Sequence, residues 1–189
     1  HRDEARKHPW TEDTITLMNS VAKSMCALAV HVLADRDLVS LDVTVATYWP
    51  EFAQNGKDGI LLRHVLGHQC GAIFSDTAKP GDWFDYHSQC AAIALQEPAW
   101  PFETKGAYNT INIGFILGEV VRHVTGKTIG NFIRNEITNP LGAEYNIGLT
   151  KDEVTRVAPM HLNPENQFWS QGAQEGSNLN RAWSGRPDR

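Results

Sequence analysis

The strongest pattern in the chain is a helical spacing of apolar residues over 111–124. Apolar side chains recur there every three or four positions, and Gly126 follows the last of them as a stop signal. The apolar face is made up of Ile113, Ile116, Leu117, Val120, Val121 and Val124. This spacing predicts a helix that packs one face against a hydrophobic core.

A second amphipathic helix is predicted over 20–34. Its apolar stripe is predicted to contain Met25, Leu28, Ala29 and Leu33. A short β-prone stretch over 14–17 precedes it, and Asn19 and Ser20 are both good helix N-caps. The pattern therefore predicts a short strand that leads directly into the start of a helix.

Shorter periodic segments predict two further helices, over 86–95 and over 129–137. Pro140 and Gly142 are predicted to end the second of them. The tail from residue 163 shows little periodicity, so no element is predicted in it.

The composition fits one globular domain over 1–189, since a chain of this length with 41% hydrophobic residues buries a core. The formal net charge is −5 and no basic stripe is present, so no nucleic-acid partner is predicted. No apolar run approaches the ~20 residues that cross a bilayer, so no membrane span is predicted.

The ends and the cysteines of the chain give two further expectations. The first residue is His1 rather than Met, and the composition drifts toward loop before Arg189, so we expect residues to precede and follow this stretch.

The 3 cysteines are widely spaced and form no disulfide framework or metal motif. They favour free thiols in a reducing compartment such as the cytoplasm.

Ser20 and Lys23 form a Ser-x-x-Lys pattern at the start of the predicted helix. Residues three positions apart share one helix face, so the Lys23 amine is placed to take the proton of the Ser20 hydroxyl. The helix N-terminus is expected to supply free N–H groups for a developing oxyanion. Lys23 must be neutral to act as a base, which requires desolvation or a neighbouring cation. The alternative is an N-cap serine with a surface lysine, since this short pattern also arises by chance.

Tyr108 lies in a predicted loop just before the strongest helix, where a rigid scaffold holds it. A phenol whose pKa is drawn toward neutrality can pass a proton between nucleophile, lysine and leaving group. The alternative is a tyrosine that only packs at the helix entry, and the local sequence alone favours this alternative.

His64 and His68 are four residues apart and raise the question of a metal site. A zinc-protease motif needs Glu directly after the first histidine, and Val65 stands there instead. Gly67 also weakens a helix through the pair. We therefore predict no metal and no other cofactor, and we expect His68 to hydrogen-bond backbone groups of its own turn over 67–71.

Aromatic residues cluster in the two loops before Tyr108. They are Trp83, Phe84, Tyr86, Trp100 and Phe102. Such a cluster is suited to wall an apolar acyl or aryl pocket, and Trp83 and Trp100 are the predicted substrate contacts. Core packing and loop anchoring are the alternative use of the cluster.

Short motifs follow one another in a collinear order from about Trp10 to Leu149. They lie at 14–25 around the Ser-x-x-Lys pattern, 41–45, 48–52, the histidine-containing turn 65–71, Tyr108, 114–119, 124–127, 140–142 and 147–149. In this order and spacing the chain resembles the class C β-lactamase-related carboxylesterases, a branch of the serine β-lactamase-like family.

The resemblance implies an α+β fold of the α/β sandwich type. In this fold a helical region joins an antiparallel sheet flanked by helices, and Ser20 is expected at their boundary. The resemblance also implies that Ser20 is the acylated nucleophile, Lys23 its proton acceptor and Tyr108 the group that returns the proton. The N–H of Ser20 is implied as one oxyanion donor.

Two departures from the family pattern affect the expected substrate. β-Lactamases and penicillin-binding proteins place Asn two residues after the tyrosine, whereas Thr110 stands there and Asn109 comes one residue early. This change favours esters over β-lactams, and Asn109 and Thr110 are predicted to contact the substrate. No Lys-Thr-Gly or His-Gly-Gly motif follows Leu149, so we expect this third motif in a portion beyond Arg189.

The leading hypothesis is therefore a serine hydrolase that forms an acyl-enzyme at Ser20 and acts on small-molecule esters. A β-lactamase or D,D-peptidase is the second hypothesis, and turnover of a chromogenic cephalosporin against a nitrophenyl ester discriminates the two. A catalytically silent scaffold of the same fold is the third. The missing third motif supports it, and the presence of Ser20, Lys23 and Tyr108 opposes it.

Overall fold

The computed structural model describes residues 1, 3, 5–160 and 174–186. The helices within these ranges are α1 (Val21–Asp35), α2 (Val45–Tyr48), α3 (Leu62–Leu66), α4 (Tyr86–Leu95), α5 (Asn112–Thr125), α6 (Ile129–Ile133), α7 (Asn139–Leu141), α8 (Lys151–Val154) and α9 (Asn178–Ala182). Short 3-10 segments at Pro50–Gly56 and Asp82–Phe84 and a π-turn at Arg134–Thr138 add to them. None of these described helices combines the length and apolarity that crossing a bilayer requires.

Helix α5 lies at the centre of the helical core, where it contacts α1, α4 and α6. Its buried apolar residues are Ile113, Ile116, Leu117, Val120 and Val121. Gly126 ends the helix in the left-handed conformation, with φ of 71°. The predicted helix and its apolar face are confirmed, except that Val124 is only half-buried.

Helix α1 packs against α5 and α6 through a face that is rotated from the predicted one. The buried residues of this face are Cys26, Ala29, Val30 and Leu33. The prediction for Leu28 is wrong because this side chain is 42% exposed, and Met25 is only partly buried. Successive residues are turned by about 100° around the helix, so Leu28 points away from the face that Ala29 occupies.

The segment before α1 is not the strand that the sequence predicts over 14–17. The strand pairings of the described residues are isolated bridges, Ile15 with Val157 and Thr44 with Leu61. The N–H of Ile15 donates to the Arg156 carbonyl at 3.1 Å, and the N–H of Ala158 donates to the Ile15 carbonyl at 2.8 Å. These two bonds fix the backbone that leads to Ser20. The antiparallel sheet implied by the resemblance stays a prediction.

The helical run that starts with α6 continues past its predicted end. It passes through the π-turn into α7, so Pro140 lies inside the run rather than at its stop. Pro140 sits in the first turn of α7, where a missing N–H is tolerated. Gly142 ends the run with φ of 61°. The prediction is right for Gly142 and wrong for Pro140.

The predicted tail from residue 163 begins among residues that lie outside the described ranges. Within the described range 174–186, the chain packs on the loop before α4. Arg181 of α9 forms an ion pair with Asp76 at 2.6 Å, and its guanidinium lies 3.9 Å from the centre of the Phe74 ring. The short helix α9 is held by these tertiary contacts, which local periodicity does not reveal.

Gly130 lies where α6 approaches the segment that follows α7. A Cβ at this position would overlap the backbone oxygen of Ile147. We expect Gly130→Ala to lower the free energy of unfolding by about 1–3 kcal/mol, because the helix and the segment must separate to admit the methyl group. The midpoint of urea unfolding measures this change.

Gly114→Ala is the matched control for this substitution, because Gly114 lies in α5 with open space around its Cα. This alanine is expected to raise the free energy of unfolding by about 0.5–1 kcal/mol through backbone entropy alone. Equal destabilisation by both alanines would contradict the steric account of Gly130.

Candidate active site

Ser20 occupies the N-cap of α1, and its exposed side chain is directed to Lys23 rather than to the helix backbone. Asn19 adopts a left-handed φ of 45°, so the chain turns sharply just before the serine. The hydroxyl makes no capping hydrogen bond. Its oxygen accepts a hydrogen bond from Lys23 Nζ at 3.1 Å instead.

The first turn of α1 does not present the free N–H groups that the sequence predicts. The donors and their acceptor carbonyls are Val21 with Met18, Ala22 with Asn19 and Lys23 with Ser20, each at 3.1 Å. A tight turn ahead of the helix thus satisfies donors that a helix N-terminus otherwise leaves open. Within the described residues, the N–H of Ser20 itself has no acceptor, and its role as an oxyanion donor stays a prediction.

Lys23 lies one turn into α1, on the same face as Ser20. Its side chain is half-buried. Nζ lies 3.1 Å from the Ser20 hydroxyl oxygen and 4.9 Å from the centre of the Tyr108 ring. One amine therefore lies close to both the Ser20 hydroxyl and the Tyr108 side chain, as proton exchange with either group requires.

Tyr108 joins this cluster from the loop before α5. Its side chain is 56% exposed, and its ring centre lies 4.9 Å from Lys23 Nζ. The neighbouring Ser20 side chain lowers the pKa of Tyr108 most, and the Lys23 side chain and its positive charge lower it further, against partial desolvation. The lowered pKa makes the phenol a better proton donor. Ser20, Lys23 and Tyr108 are thus brought together, and their catalytic roles stay predictions.

The backbone on both sides of Tyr108 is bound by His68. The N–H of Ala107 donates to the His68 carbonyl at 3.0 Å, and the N–H of Asn109 donates to His68 Nδ1 at 3.0 Å. The two aromatic rings are also in contact, with centroids 5.0 Å apart and planes at 42°. The His68 ring binds backbone, but it binds the loop of Tyr108 and not its own turn, so the predicted partner is wrong.

Asn109 is fully buried and anchors the loop from its inner side. Its Nδ2 donates to the Ala72 carbonyl at 3.1 Å, and its Oδ1 accepts from the N–H of Ile113 at 3.1 Å. Both ends of the amide are thus used within the protein. The side chain holds the backbone beside Tyr108 in place, and its predicted contact with substrate stays a prediction.

Two further buried polar side chains, Asn112 and Gln89, hydrogen-bond next to Asn109, and the sequence pattern does not predict their role. Asn112 Nδ2 donates to the Phe74 carbonyl at 2.9 Å. Gln89 Nε2 donates to the Ser75 hydroxyl at 3.0 Å and to Asn112 Oδ1 at 3.3 Å. The available signal is a polar residue on the inward side of an apolar helix, as Asn112 is on α5 and Gln89 on α4.

His64 of α3 binds the loop that contains Glu103. Its Nδ1 accepts from the N–H of Leu61 at 3.1 Å, and its Nε2 lies 2.7 Å from the Glu103 carboxylate. Its ring also stacks on Phe102, with centroids 5.1 Å apart. In the part of the chain that the structure describes, no three His, Cys, Asp or Glu side chains are grouped so as to hold a metal.

The remaining predicted substrate contacts are Trp83, Trp100 and Thr110. Trp83 Nε1 donates to the Ser184 carbonyl at 2.8 Å, and Trp100 Nε1 donates to the Lys105 carbonyl at 3.1 Å. Thr110 is half-buried directly after the anchored Asn109. The two indoles therefore fasten loops, and the substrate contacts of Trp83, Trp100 and Thr110 stay predictions.

A cavity of about 560 Å³ lies at the segment that leads into α1. Its lining consists of residues 14–19, 144–149, Glu12, Ala22 and Val157. Asn19 and Ala22 lie on either side of Ser20 in the sequence, so the cavity extends to the turn that carries Ser20, although Ser20 itself does not line it. None of the predicted substrate contacts lines this cavity.

The family model described as Beta-lactamase matches residues 1–180 of the chain. The chain belongs to the β-lactamase family. This match agrees with the family expected from the collinear motifs and with the geometry of the Ser-x-x-Lys pattern.

Members of the β-lactamase family with known structures or names resemble the chain over most of its length. The esterase/β-lactamase LipL of Mycobacterium tuberculosis is 34% identical over 158 residues, which make up 82% of this chain and 37% of that protein. A penicillin-binding protein homologue from Caulobacter crescentus aligns with a TM-score of 0.82 at 36% identity, over 86% of this chain and 44% of that one. A family VIII carboxylesterase aligns with a TM-score of 0.81 at 38% identity, over 85% of this chain and 45% of that one.

The chain thus spans less than half the length of these members of the β-lactamase family. The likeness shows the serine β-lactamase fold for the helical part described above. The third motif of the family, like the antiparallel sheet, stays a prediction.

Proposed function

We propose that this protein is a serine hydrolase that forms an acyl-enzyme at Ser20 and hydrolyses small carboxylic esters. The observation that carries the proposal is the 3.1 Å hydrogen bond between Lys23 Nζ and Ser20 Oγ, with the ring centre of Tyr108 4.9 Å from the same Nζ. A serine hydroxyl becomes an effective nucleophile only when a neighbouring base takes its proton.

In the acylation step, the neutral Lys23 amine accepts the proton of Ser20 Oγ while this oxygen attacks the ester carbonyl. The N–H of Ser20 donates to the oxyanion that forms. The intermediate then collapses, and the bond between the carbonyl carbon and the alcohol oxygen breaks. Tyr108 donates its proton to the leaving alkoxide and receives one from the Lys23 ammonium.

Deacylation reverses these proton movements with water in place of the alcohol. The water attacks the carbonyl of the acyl group on Ser20, and its proton passes to the pair of Lys23 and Tyr108. Breaking the bond to Ser20 Oγ releases the carboxylic acid, and the hydroxyl recovers its proton. The lowered pKa of Tyr108 supports this role, because a phenol whose pKa lies closer to neutral pH exchanges protons more readily.

Three observations support esters as the substrate class. Thr110 stands where β-lactamases and penicillin-binding proteins carry Asn. Relatives at 34% and 38% identity are named as an esterase/β-lactamase and a carboxylesterase. The cavity at the segment that leads into α1 includes Ile15, Leu17 and Met18, whose apolar side chains suit an acyl chain.

A β-lactamase or D,D-peptidase is the second candidate. It is supported by the structural likeness to a penicillin-binding protein homologue at a TM-score of 0.82 and by the double name of LipL. The two candidates share the acyl-enzyme and differ in the bond that is cleaved, because a β-lactam is an amide and its nitrogen must be protonated as it leaves.

The test combines turnover with trapping of the acyl group. We expect a p-nitrophenyl ester of a short fatty acid to give a burst of one nitrophenolate per protein, followed by slower steady turnover. We also expect the acyl mass on the tryptic peptide 8–23, which contains Ser20. A chromogenic cephalosporin is offered in parallel at the same concentration.

Each outcome of this test selects one hypothesis. Faster turnover of the ester supports the esterase, and faster turnover of the cephalosporin supports the second candidate. A folded protein that turns over neither compound and carries no acyl group on the peptide supports the silent scaffold and overturns the proposal.

A further inference from the structure

His68 is the one residue of the histidine-containing turn whose ring faces the proposed catalytic cluster without taking part in its chemistry. Its ring lies against Tyr108 and close enough to Lys23 for the lysine charge to act on it. A metal site shared with His64 does not explain the position of this ring, because His64 is hydrogen-bonded to Glu103 instead.

The backbone of His68 has an unusual conformation that serves this contact. Its φ is 58°, in the left-handed region that few side chains adopt. In this conformation the carbonyl accepts from Ala107 and the ring accepts from Asn109, so one residue binds the chain on both sides of Tyr108. The phenol itself is more than half exposed, which leaves these bonds as a main constraint on its position.

We propose that His68 is a positioning residue, which holds Tyr108 against Ser20 and Lys23 through the hydrogen bond from Asn109 to Nδ1, and only while its imidazole is neutral. The proposal rests on the proposed function, because it concerns the same active site. A protonated Nδ1 carries a hydrogen of its own and turns it toward the Asn109 N–H, so the bond is lost.

The surroundings of the ring favour the neutral form. Burial lowers the pKa of His68 most, and the nearby charge of Lys23 lowers it further. The charged and titratable groups that face the ring are Lys23 from α1 and Tyr108 from its own loop. His68 is therefore neutral near pH 7 and becomes protonated only as the pH falls below its usual value of 6.5.

Two substitutions separate the hydrogen bond from the backbone conformation. His68→Asn keeps an acceptor close to the position of Nδ1 and tolerates the left-handed conformation, but it does not titrate. His68→Gly also tolerates this conformation and has no acceptor. His31→Asn, at an exposed position of α1, controls for the loss of an imidazole elsewhere.

We expect His68→Gly to lower kcat for a p-nitrophenyl ester about a hundredfold with little change in KM, because the reacting groups are bound but misplaced. His68→Asn is expected to stay within about tenfold of the wild type near pH 7. Circular dichroism verifies that each variant is folded. Should the glycine variant fail to fold, the pH profile of the asparagine variant decides alone.

The pH profile tests the requirement for a neutral ring. In the wild type, His68 must be neutral to accept from Asn109, whereas the side chain introduced by His68→Asn does not titrate. The acid limb of log kcat/KM should therefore be steeper by one order in protons in the wild type than in His68→Asn. Equal losses in both variants, unchanged kcat in the glycine variant, or an equally steep acid limb in the wild type and in His68→Asn would overturn the proposal.

Failure of the proposed function is distinguishable from these outcomes. It would appear in the wild type as the absence of ester turnover and of an acyl group on Ser20. A wild type that is acylated at Ser20, with variants that do not follow the expected pattern, overturns the role of His68 alone.

Discussion

Ser20→Ala is expected to abolish covalent labelling by a fluorophosphonate probe and to lower ester turnover by at least ~10³-fold. The probe forms a bond only with an activated serine, and the hydroxyl that contacts Lys23 at 3.1 Å is the one proposed to be activated. Removing it takes away the atom on which the acyl group is carried, so no other residue of the cluster compensates. Intact-mass spectrometry after exposure to the probe measures the adduct directly.

Ser24→Ala is the matched control for this experiment. Ser24 is also exposed and lies one turn further along α1, but it does not share the contact with Lys23. A single adduct in the wild type and in Ser24→Ala, with none in Ser20→Ala, is the expected result. An adduct that persists in Ser20→Ala would place the reactive serine elsewhere and contradict the assignment.

Much of the helical part of the fold is predictable because its periodicity is strong and local. The helices around 20–34 and 111–124 follow from apolar spacing and from the stop signal at Gly126, and both are observed. The error at Leu28 has a simple origin. Spacing identifies a helix, but the face that becomes buried depends on where α5 and α6 lie, and this information is not local.

The contacts that hold the candidate site are less predictable, because they join segments far apart in the sequence. Ser20 and Lys23 are neighbours on a helix, so their contact follows from a spacing of three residues. Tyr108 reaches them from a loop that is fixed by His68 and Asn109, both through partners about forty positions away. No periodic pattern encodes such a pairing, and only the collinear family motifs indicated that the three residues meet.

The Pro140 error shows the same limit at the level of the backbone. A proline within a periodic segment usually ends a helix, because it lacks an N–H and its ring clashes with the preceding turn. Here the π-turn Arg134–Thr138 comes directly before α7, which begins at Asn139, so Pro140 lies in a new first turn. Tertiary packing of that turn overrides the local signal.

Lys23→Arg is expected to lower acylation of Ser20 by about 10³-fold, nearly as much as Lys23→Met. Arginine keeps a positive charge near Tyr108 and a donor for the Ser20 hydroxyl. It can therefore replace the two contacts of Lys23 Nζ, at 3.1 Å from Ser20 Oγ and at 4.9 Å from the Tyr108 ring centre. It does not lose its proton in a protein, however, and therefore cannot act as a base. The rate of fluorophosphonate labelling measures the loss.

This substitution decides between two roles for the lysine. If Lys23 acts only as a cation that attracts the oxyanion, arginine should retain most of the activity and methionine should lose it. If Lys23 removes the proton from Ser20, both variants should be inactive to a similar degree. Lys151→Arg, at an exposed position of α8, controls for the exchange itself and should label at the wild-type rate. Retained labelling in Lys23→Arg would therefore remove the base from the mechanism, and the proton of Ser20 would need another acceptor, for which Tyr108 is the neighbouring titratable group.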